Sequence, residues 1–324
     1  MNNFVPDALV CAFLQTDLYS NRLHEQIVRI ESGEHMKIGI SGASGHLGRA
    51  VLEHIAASNA DVKLVAISRT PDASGREVEG RLGDYDHPES LAVAYAGLDR
   101  LLIIPSADLR QGVRGVQYVA AIDAAVAAGV KHIVLLSALG TRKQEEPANG
   151  ASYWVAEQHL IKTAPAWTIV RMSYYAEAFA QEAQMLAGTG MLTGLGKSRV
   201  SYVSRDDVAA AVAGVLTQDG HVGAIYSATG PKGVTGAERA EAATVWTGKP
   251  FGFVVITEEQ LRAGLAQAGL PEDVVNVVIS IQEEFAQGTF DVVTGHVEHL
   301  SGRVPKTLEQ VLSALSTTAE NPTP

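Results

Sequence analysis

The chain has one cysteine, Cys11, in 324 residues. An internal disulfide is therefore excluded, as is a zinc site built on several thiolates. Positive charge is also short, with 25 Lys and Arg against 36 Asp and Glu and a net charge of −11 at pH 7. That balance argues against nonspecific nucleic-acid binding, which needs cations to displace phosphate counterions, and against a polybasic membrane contact. Long apolar runs are missing too. Leu101-Leu102-Ile103-Ile104 is among the longest, far below the roughly 18 residues of a membrane-spanning helix. No Lys or Arg precedes the apolar stretch Ala8 to Leu14, so it does not read as a signal peptide. The histidines offer no metal constellation, since His296 and His299 have no Cys or carboxylate cluster beside them, and no metal is expected. The expectation is a cytoplasmic protein with neither a nucleic-acid nor a membrane partner.

Hydrophobic residues make up 46% of the chain and charged residues 19%, enough apolar mass for a substantial core. From Met36 onward, strand-like apolar runs at 37–41, 62–68, 99–104, 131–137 and 166–170 alternate with helical patterns at 46–58, 88–96, 111–128 and 150–163. Leu47, Val51 and Ile55, for instance, give one apolar helical stripe. Asp86-His87-Pro88-Glu89 reads as a helix start, Asp86 capping and Glu89 completing a box. Alternation of this kind implies an α/β fold, a doubly wound parallel sheet of Rossmann type. Beyond about 175 helices dominate, at 175–187, 204–217, 235–247, 258–269, 272–287 and 306–315, with short strands near 223–228 and 252–256. They imply a smaller, mainly helical C-terminal part. Residues 1–35 show no comparable pattern apart from a helix near 18–30. They are expected to be a disordered arm, or a segment upstream of a true start at Met36.

The decisive segment is Gly42-Ala43-Ser44-Gly45-His46-Leu47-Gly48, which follows the first strand and opens the first helix. Glycine serves such a turn three times: for the tight bend, for close approach of backbone N–H groups to a diphosphate, and for helix-on-strand packing. The phosphates then sit at the positive end of the helix. A second strand about 20 residues on completes the expected context. That strand ends at Arg69, where an NAD enzyme usually places Asp or Glu for the ribose 2′-hydroxyl. A guanidinium instead pairs with a 2′-phosphate, so the expected cofactor is NADP(H). Pro105 and Ser106 follow the fourth strand, and the carboxyl ends of such strands line the cofactor crevice.

Short-chain dehydrogenases commonly use Ser with Tyr-x-x-x-Lys on one helix, the Lys lowering the Tyr pKa. This chain offers Ser137 and Tyr153 as catalytic candidates, but Glu157 stands where the Lys is needed. With its G-x-x-G-x-x-G spacing and broken triad, the sequence resembles the NmrA-like group of atypical short-chain dehydrogenase/reductases, and within it the NADPH-dependent quinone oxidoreductases. The resemblance runs over nearly all of 36–316. It implies that Asp84, with Tyr85 beside it, faces the adenine edge, and that Ser137 borders the cofactor. It also implies that Ser173, Tyr174 and Tyr175 contact the nicotinamide end, although Ser173 departs from the Asn or Pro usual there. Ser204-Arg205-Asp206-Asp207-Val208-Ala209 is similar to the group's helix start that anchors the second half.

The function this implies is hydride transfer from NADPH to a quinone or similar aromatic or quinoid small molecule, held in stacking geometry. A conjugated acceptor spreads the incoming charge and needs less help from a tuned acid, which suits the missing Lys. The alternative is a non-catalytic NADP(H)-binding redox sensor that regulates a partner protein. The expected division is an NADP-binding part at 36–175, a mostly substrate-binding part at 176–316 with 203–229 returning to the first, and a flexible tail at 317–324. The oligomeric state is left open, a homodimer included.

Overall fold

The computed structural model describes residues 35–71, 78–145 and 148–320. The helix expected near 18–30 and residues 321–324 lie outside these. Strands β1 (Met36–Ser41), β2 (Val62–Ser68), β3 (Glu79–Leu82), β4 (Arg100–Ile103), β5 (His132–Ala138), β6 (Trp167–Met172) and, after β7 (Met191–Gly194), β8 (Ala224–Ala228) build the main sheet. Among the described residues it is seven-stranded and parallel at every pairing, in the order β3-β2-β1-β4-β5-β6-β8. The order reverses between β1 and β4, where ligands bind in folds of this class. Ser41 pairs with Ile67 on one side and Ile103 on the other, so these strands finish level and their loops leave from one edge.

The central strands are apolar and buried where helices cover both faces, β5 along its whole length, whereas the edge strand β3, Glu79-Gly80-Arg81-Leu82, is largely exposed and lacks the apolar run by which the other strands of the sheet are expected. Val134 and Leu136 pack with α1 (His46–Ala57), α6 (Arg205–Thr217) and α10 (His296–Ser301). Ile133 and Leu135 pack on the opposite face with α2 (Glu89–Ala94), α3 (Val113–Ala127) and α4 (Asn149–Thr163). Above the strand ends stands a smaller lobe. It holds α5 (Ala176–Leu186), α7 (Gly236–Thr247), α8 (Glu258–Gln267), α9 (Glu272–Ala286), α11 (Leu308–Glu320) and the parallel pair of β7 with β9 (Gly252–Val255). The doubly wound architecture is therefore the expected one.

Some local expectations fail for identifiable reasons. The capping box at Asp86 does not form. Pro88 precedes α2 without a side-chain cap, and Asp86 Oδ1 instead accepts a hydrogen bond from Gln117 Nε2 at 2.8 Å. β7 and α10 are absent from the expected elements because four residues between glycines, and six residues without an apolar period, carry too little pattern. Helix α11 continues to Glu320, so residues 317–320 are helix rather than tail.

Close packing joins α6 to α10. A Cβ at Gly214 would lie 2.0 Å from Leu300 O. Gly214→Ala should therefore lower stability by about 1–2 kcal/mol net, since overpacking costs about 1–3 and helix propensity returns at most about 1; the denaturant midpoint measures it. At the start of α6, Asp206 Oδ1 lies 2.7 Å from His54 Nε2, while Lys306 Nζ and Arg303 Nη2 donate to Oδ2 at 2.7 and 3.0 Å. Burial opposes ionisation of Asp206, but the bonds from Lys306, His54 and Arg303 outweigh it and hold the carboxyl well below its usual range. Its folded pKa is depressed, so its stabilisation is present above the unfolded value of about 3.9 and fades as pH falls below it. The melting-temperature gap between wild type and Asp206→Asn should be constant above about pH 5 and shrink below about pH 4.

Candidate functional site

The turn between β1 and α1 is set by its glycines. Gly42 has φ +93°, a region that side chains rarely adopt, and its N–H and that of Ala43 both donate to Ile67 O, at 3.0 and 3.1 Å. A Cβ on Gly48 would lie 2.4 Å from Gly42 O and 2.7 Å from Ala43 Cα, so helix and turn touch through bare backbone. Gly45 is different. Its φ of −76° and ψ of 165° suit any residue, and a Cβ there would meet only Gly42 O, at 3.4 Å. Nothing in the fold demands glycine at Gly45, and its open side is a cleft.

As N-cap of α1, Gly45 brings no side-chain acceptor, and the first turn holds no acid. The N–H groups of His46, Leu47 and Gly48 therefore begin the helix uncapped. Some other helices do carry side-chain caps, as where Ser204 Oγ accepts from Asp207 N at 2.9 Å and where Thr235 and Thr257 form capping boxes; α2, α3, α4, α5, α9 and α10 do not, so what sets α1 apart is the cleft onto which its start opens. An uncapped helix start opening on a cleft suits an anion.

The cleft encloses about 600 Å³, within the usual range for a small-molecule site. Of the residues expected from sequence it brings together Gly42, Ser44, Gly45, His46, Leu47, Gly48, Arg69, Asp84, Tyr85, Pro105, Ser106 and Tyr175. Arg69 is exposed and forms no ion pair among the described residues. Asp84 serves its own turn, Oδ1 accepting from Asp86 N at 3.0 Å. Tyr85 donates to Ile104 O at 2.8 Å, and burial pushes its phenol up. Ser106 Oγ donates to Gln117 Oε1.

Five expected residues do not line the cleft. Ala43 is in the core at 3% exposure. Ser137 is fully buried and donates to Glu157 Oε1 at 2.6 Å. Glu157 in turn accepts from Arg171 Nε at 2.9 Å and Nη2 at 2.5 Å. Tyr153 is buried against Tyr118, with ring centroids 6.1 Å apart. Ser173 Oγ lies 3.1 Å from Ser201 Oγ. Tyr174 meets Phe285 edge-on at 5.1 Å in the lobe core, where burial raises its phenol to about 12. Successive residues point in opposite directions, so Tyr174 and Tyr175 part company.

Sequence reasoning also missed cleft residues, chiefly Gln117 and Arg205. The Arg205 guanidinium lies 5.0 Å over the Tyr175 ring and forms no ion pair among the described residues. The signal for it was the Ser204 cap: a bridge between Tyr175 and Val203 brings the start of α6 to the cleft.

The residues present fit a dinucleotide diphosphate, with the vacancy at Gly45 as cradle and uncapped N–H groups beside it. Comparisons with known proteins agree. Quinone oxidoreductase 2 of Escherichia coli (strain K12) is 29% identical over 284 residues, 86% of this chain and 98% of the relative. An NAD(P)H azoreductase of Xenophilus azovorans is 27% identical over 282 residues, 85% of this chain and 96% of the relative. A crystal structure of an NADPH-dependent quinone oxidoreductase from Escherichia coli complexed with NADPH aligns with a TM-score of 0.80 at 28% identity, covering 86% of this chain and 99% of that one. A family model described as NAD(P)H-binding matches residues 42–219, more than half of the sequence, and the chain belongs to that family.

Proposed function

We propose that the protein binds NADPH and passes its hydride to a quinone or similar flat, conjugated carbonyl. The observation that carries this reading is Arg69, an exposed guanidinium at the end of β2 with no ion pair among the described residues, in the same cleft as the uncapped start of α1. A carboxylate at that place would repel a ribose 2′-phosphate, whereas a guanidinium binds it. The Escherichia coli and Xenophilus relatives, named for quinone and azo reduction, support the acceptor class.

When bound, the nicotinamide supplies the hydride. The N–H groups of His46, Leu47 and Gly48 hold the diphosphate, and Arg69 holds the ribose phosphate. Leu136, Met172 and Tyr175 wall the cleft beside Arg205 and keep water from the acceptor. Among the hydroxyls expected to serve the acceptor, Ser137 is committed to Glu157, and Tyr153 lies beneath Arg114. Tyr175 lines the cleft, and burial pushes its phenol up against the weaker pull of Arg205. It stays protonated at neutral pH and donates from Oη to the acceptor oxygen.

Arg69→Ala should weaken NADPH binding by about 10- to 100-fold and NADH binding by less than about threefold, as for loss of one charge-assisted pair. Calorimetry with both nucleotides tests this, and equal losses sink the cofactor assignment. Wild type should consume NADPH with benzoquinones or naphthoquinones; nucleotide binding without turnover of any of them would leave the sensor reading standing. The two helix-side glycines should separate. Gly45→Ala should keep its melting temperature while losing about tenfold in NADPH affinity, and Gly48→Ala should lose about 1–3 kcal/mol of folding stability.

A further inference from the structure

A small hollow lies between the loop after β4, the start of α4 and the start of α9, lined in part by Asp108, Arg110, Arg114, Ser152 and Asn276. It stands between the sheet layer and the C-terminal lobe, and it shares Asp108 with the nucleotide cleft. Its volume of about 40 Å³ is room for about three or four waters at ~10–15 Å³ each. A carboxylate or sulfonate group fits that space; an aromatic ring does not.

The two arginines of the hollow are not equivalent. Arg110 clasps Asp108, with Nε 3.1 Å from both carboxylate oxygens and Nη2 2.5 Å from Oδ2. The hydrogen bonds from Arg110 hold the Asp108 carboxyl at about 2, so this pair is neutral overall at any ordinary pH. Arg114 forms no ion pair among the described residues. Its guanidinium lies 5.5 Å over the Tyr153 ring, and its Nε–H is buried with no acceptor. That atom is out of reach of a ligand; what the hollow offers an anion is the rest of the guanidinium, since Arg114 lines it without an acid partner among the described residues. Asn276 adds to the donor set. Its Oδ1 accepts from Arg262 Nη1 at 2.9 Å, so its NH2 is the donor that has no acceptor among the described residues. Asp273, the lining acid that no arginine clasps, is exposed, where solvent and salt screen it.

We propose that this hollow receives an anionic substituent of the acceptor, a carboxylate or sulfonate, with Arg114 as its ligand, so that acidic conjugated acceptors are preferred to neutral ones. The acceptor's role rests on the reductase reading, but binding of the anion is measurable without turnover. The probes are naphthalenesulfonate and the neutral naphthalenemethanol, titrated calorimetrically with and without saturating NADP+. Wild type should bind the sulfonate more tightly than the alcohol. Arg114→Leu should cut that preference about tenfold, the low end for a charge-assisted hydrogen bond. Arg114→Lys, which keeps the charge and the stem over Tyr153, should retain part of it and serves if the leucine variant does not fold.

Displacement of the sulfonate by NADP+ would place the anion at the glycine turn and overturn the proposal. So would equal losses for both probes, or none. In turnover, the ratio of kcat/KM for a naphthoquinone sulfonate to that for its parent quinone should fall about tenfold in Arg114→Leu. If wild type reduces neither quinone while the calorimetric preference holds, the reductase reading fails and the anion site stands.

Discussion

The turn after β1 must meet two demands that pull against each other. The chain has to reverse from strand into helix within a few residues and pack tightly, which favours hydrogen-bonded backbone and filled space. The same few residues must also leave donors unused. Gly42 and Gly48 meet the first demand, one by its positive φ, the other by letting the helix start lie against Gly42 O and Ala43 Cα. Gly45 meets the second by declining to cap. The rest of the molecule supports that arrangement. α6 packs along α1, and the ionic cluster at Asp206 ties both to the segment leading into α11. The uncapped helix start is thus held rigidly although its own end bonds are unmade, as expected of a preorganised anion site.

Charge is arranged with similar economy. A chain of net charge −11 has to attract a polyanionic cofactor, and whole-molecule electrostatics work against it. The local layout reverses the balance. The three carboxylates of the cleft are engaged: Asp84 with the Asp86 backbone, Asp86 with Gln117, Asp108 with Arg110. The two arginines that line the same cleft, Arg69 and Arg205, are free of ion pairs among the described residues. What a ligand meets is therefore free guanidinium and satisfied carboxylate. Affinity for an anion depends on that local inventory more than on the total.

Much of the fold was legible because parallel strands buried on both faces must be continuously apolar; β2 has the bounds expected of it, and the glycine turn and Arg69 lie where chain order puts them. What was not legible had one of two causes. β7 and α10 are too short to carry a period, and the partners that hold them, β9 and Gly214, are far along the chain. That some expected site residues do not line the cleft has another origin. Position at a strand end says that a residue is near the crevice, but the direction of its side chain decides whether it faces it. Ala43, Ser173 and Tyr174 stand at the right places in the chain and turn into the core. Gln117 and Arg205 come from helices whose sequence shows no more than ordinary surface and capping positions.

Glu157 shows why the missing Tyr-Lys pair is more than a lost residue. At 1% exposure its carboxylate binds Ser137 of β5 and Arg171 of β6 together, fastening neighbouring strands beneath the cleft floor. A buried carboxylate is tolerable only with such partners, and removing either member of a buried pair leaves an uncompensated charge. A lysine in its place would set two cations side by side in the interior and release the Ser137 hydroxyl. The position four residues after Tyr153 has therefore been committed to architecture, and Tyr153 itself lies under Arg114. In the proposed reading, proton supply and acceptor recognition fall to two arginine–tyrosine pairs at neighbouring hollows. Tyr175 and Arg205 form one stacked pair, and Tyr153 and Arg114 form the other. A site so built suits acceptors whose own conjugation carries the developing charge, since no lysine among the described residues lines the cleft to tune a phenolate.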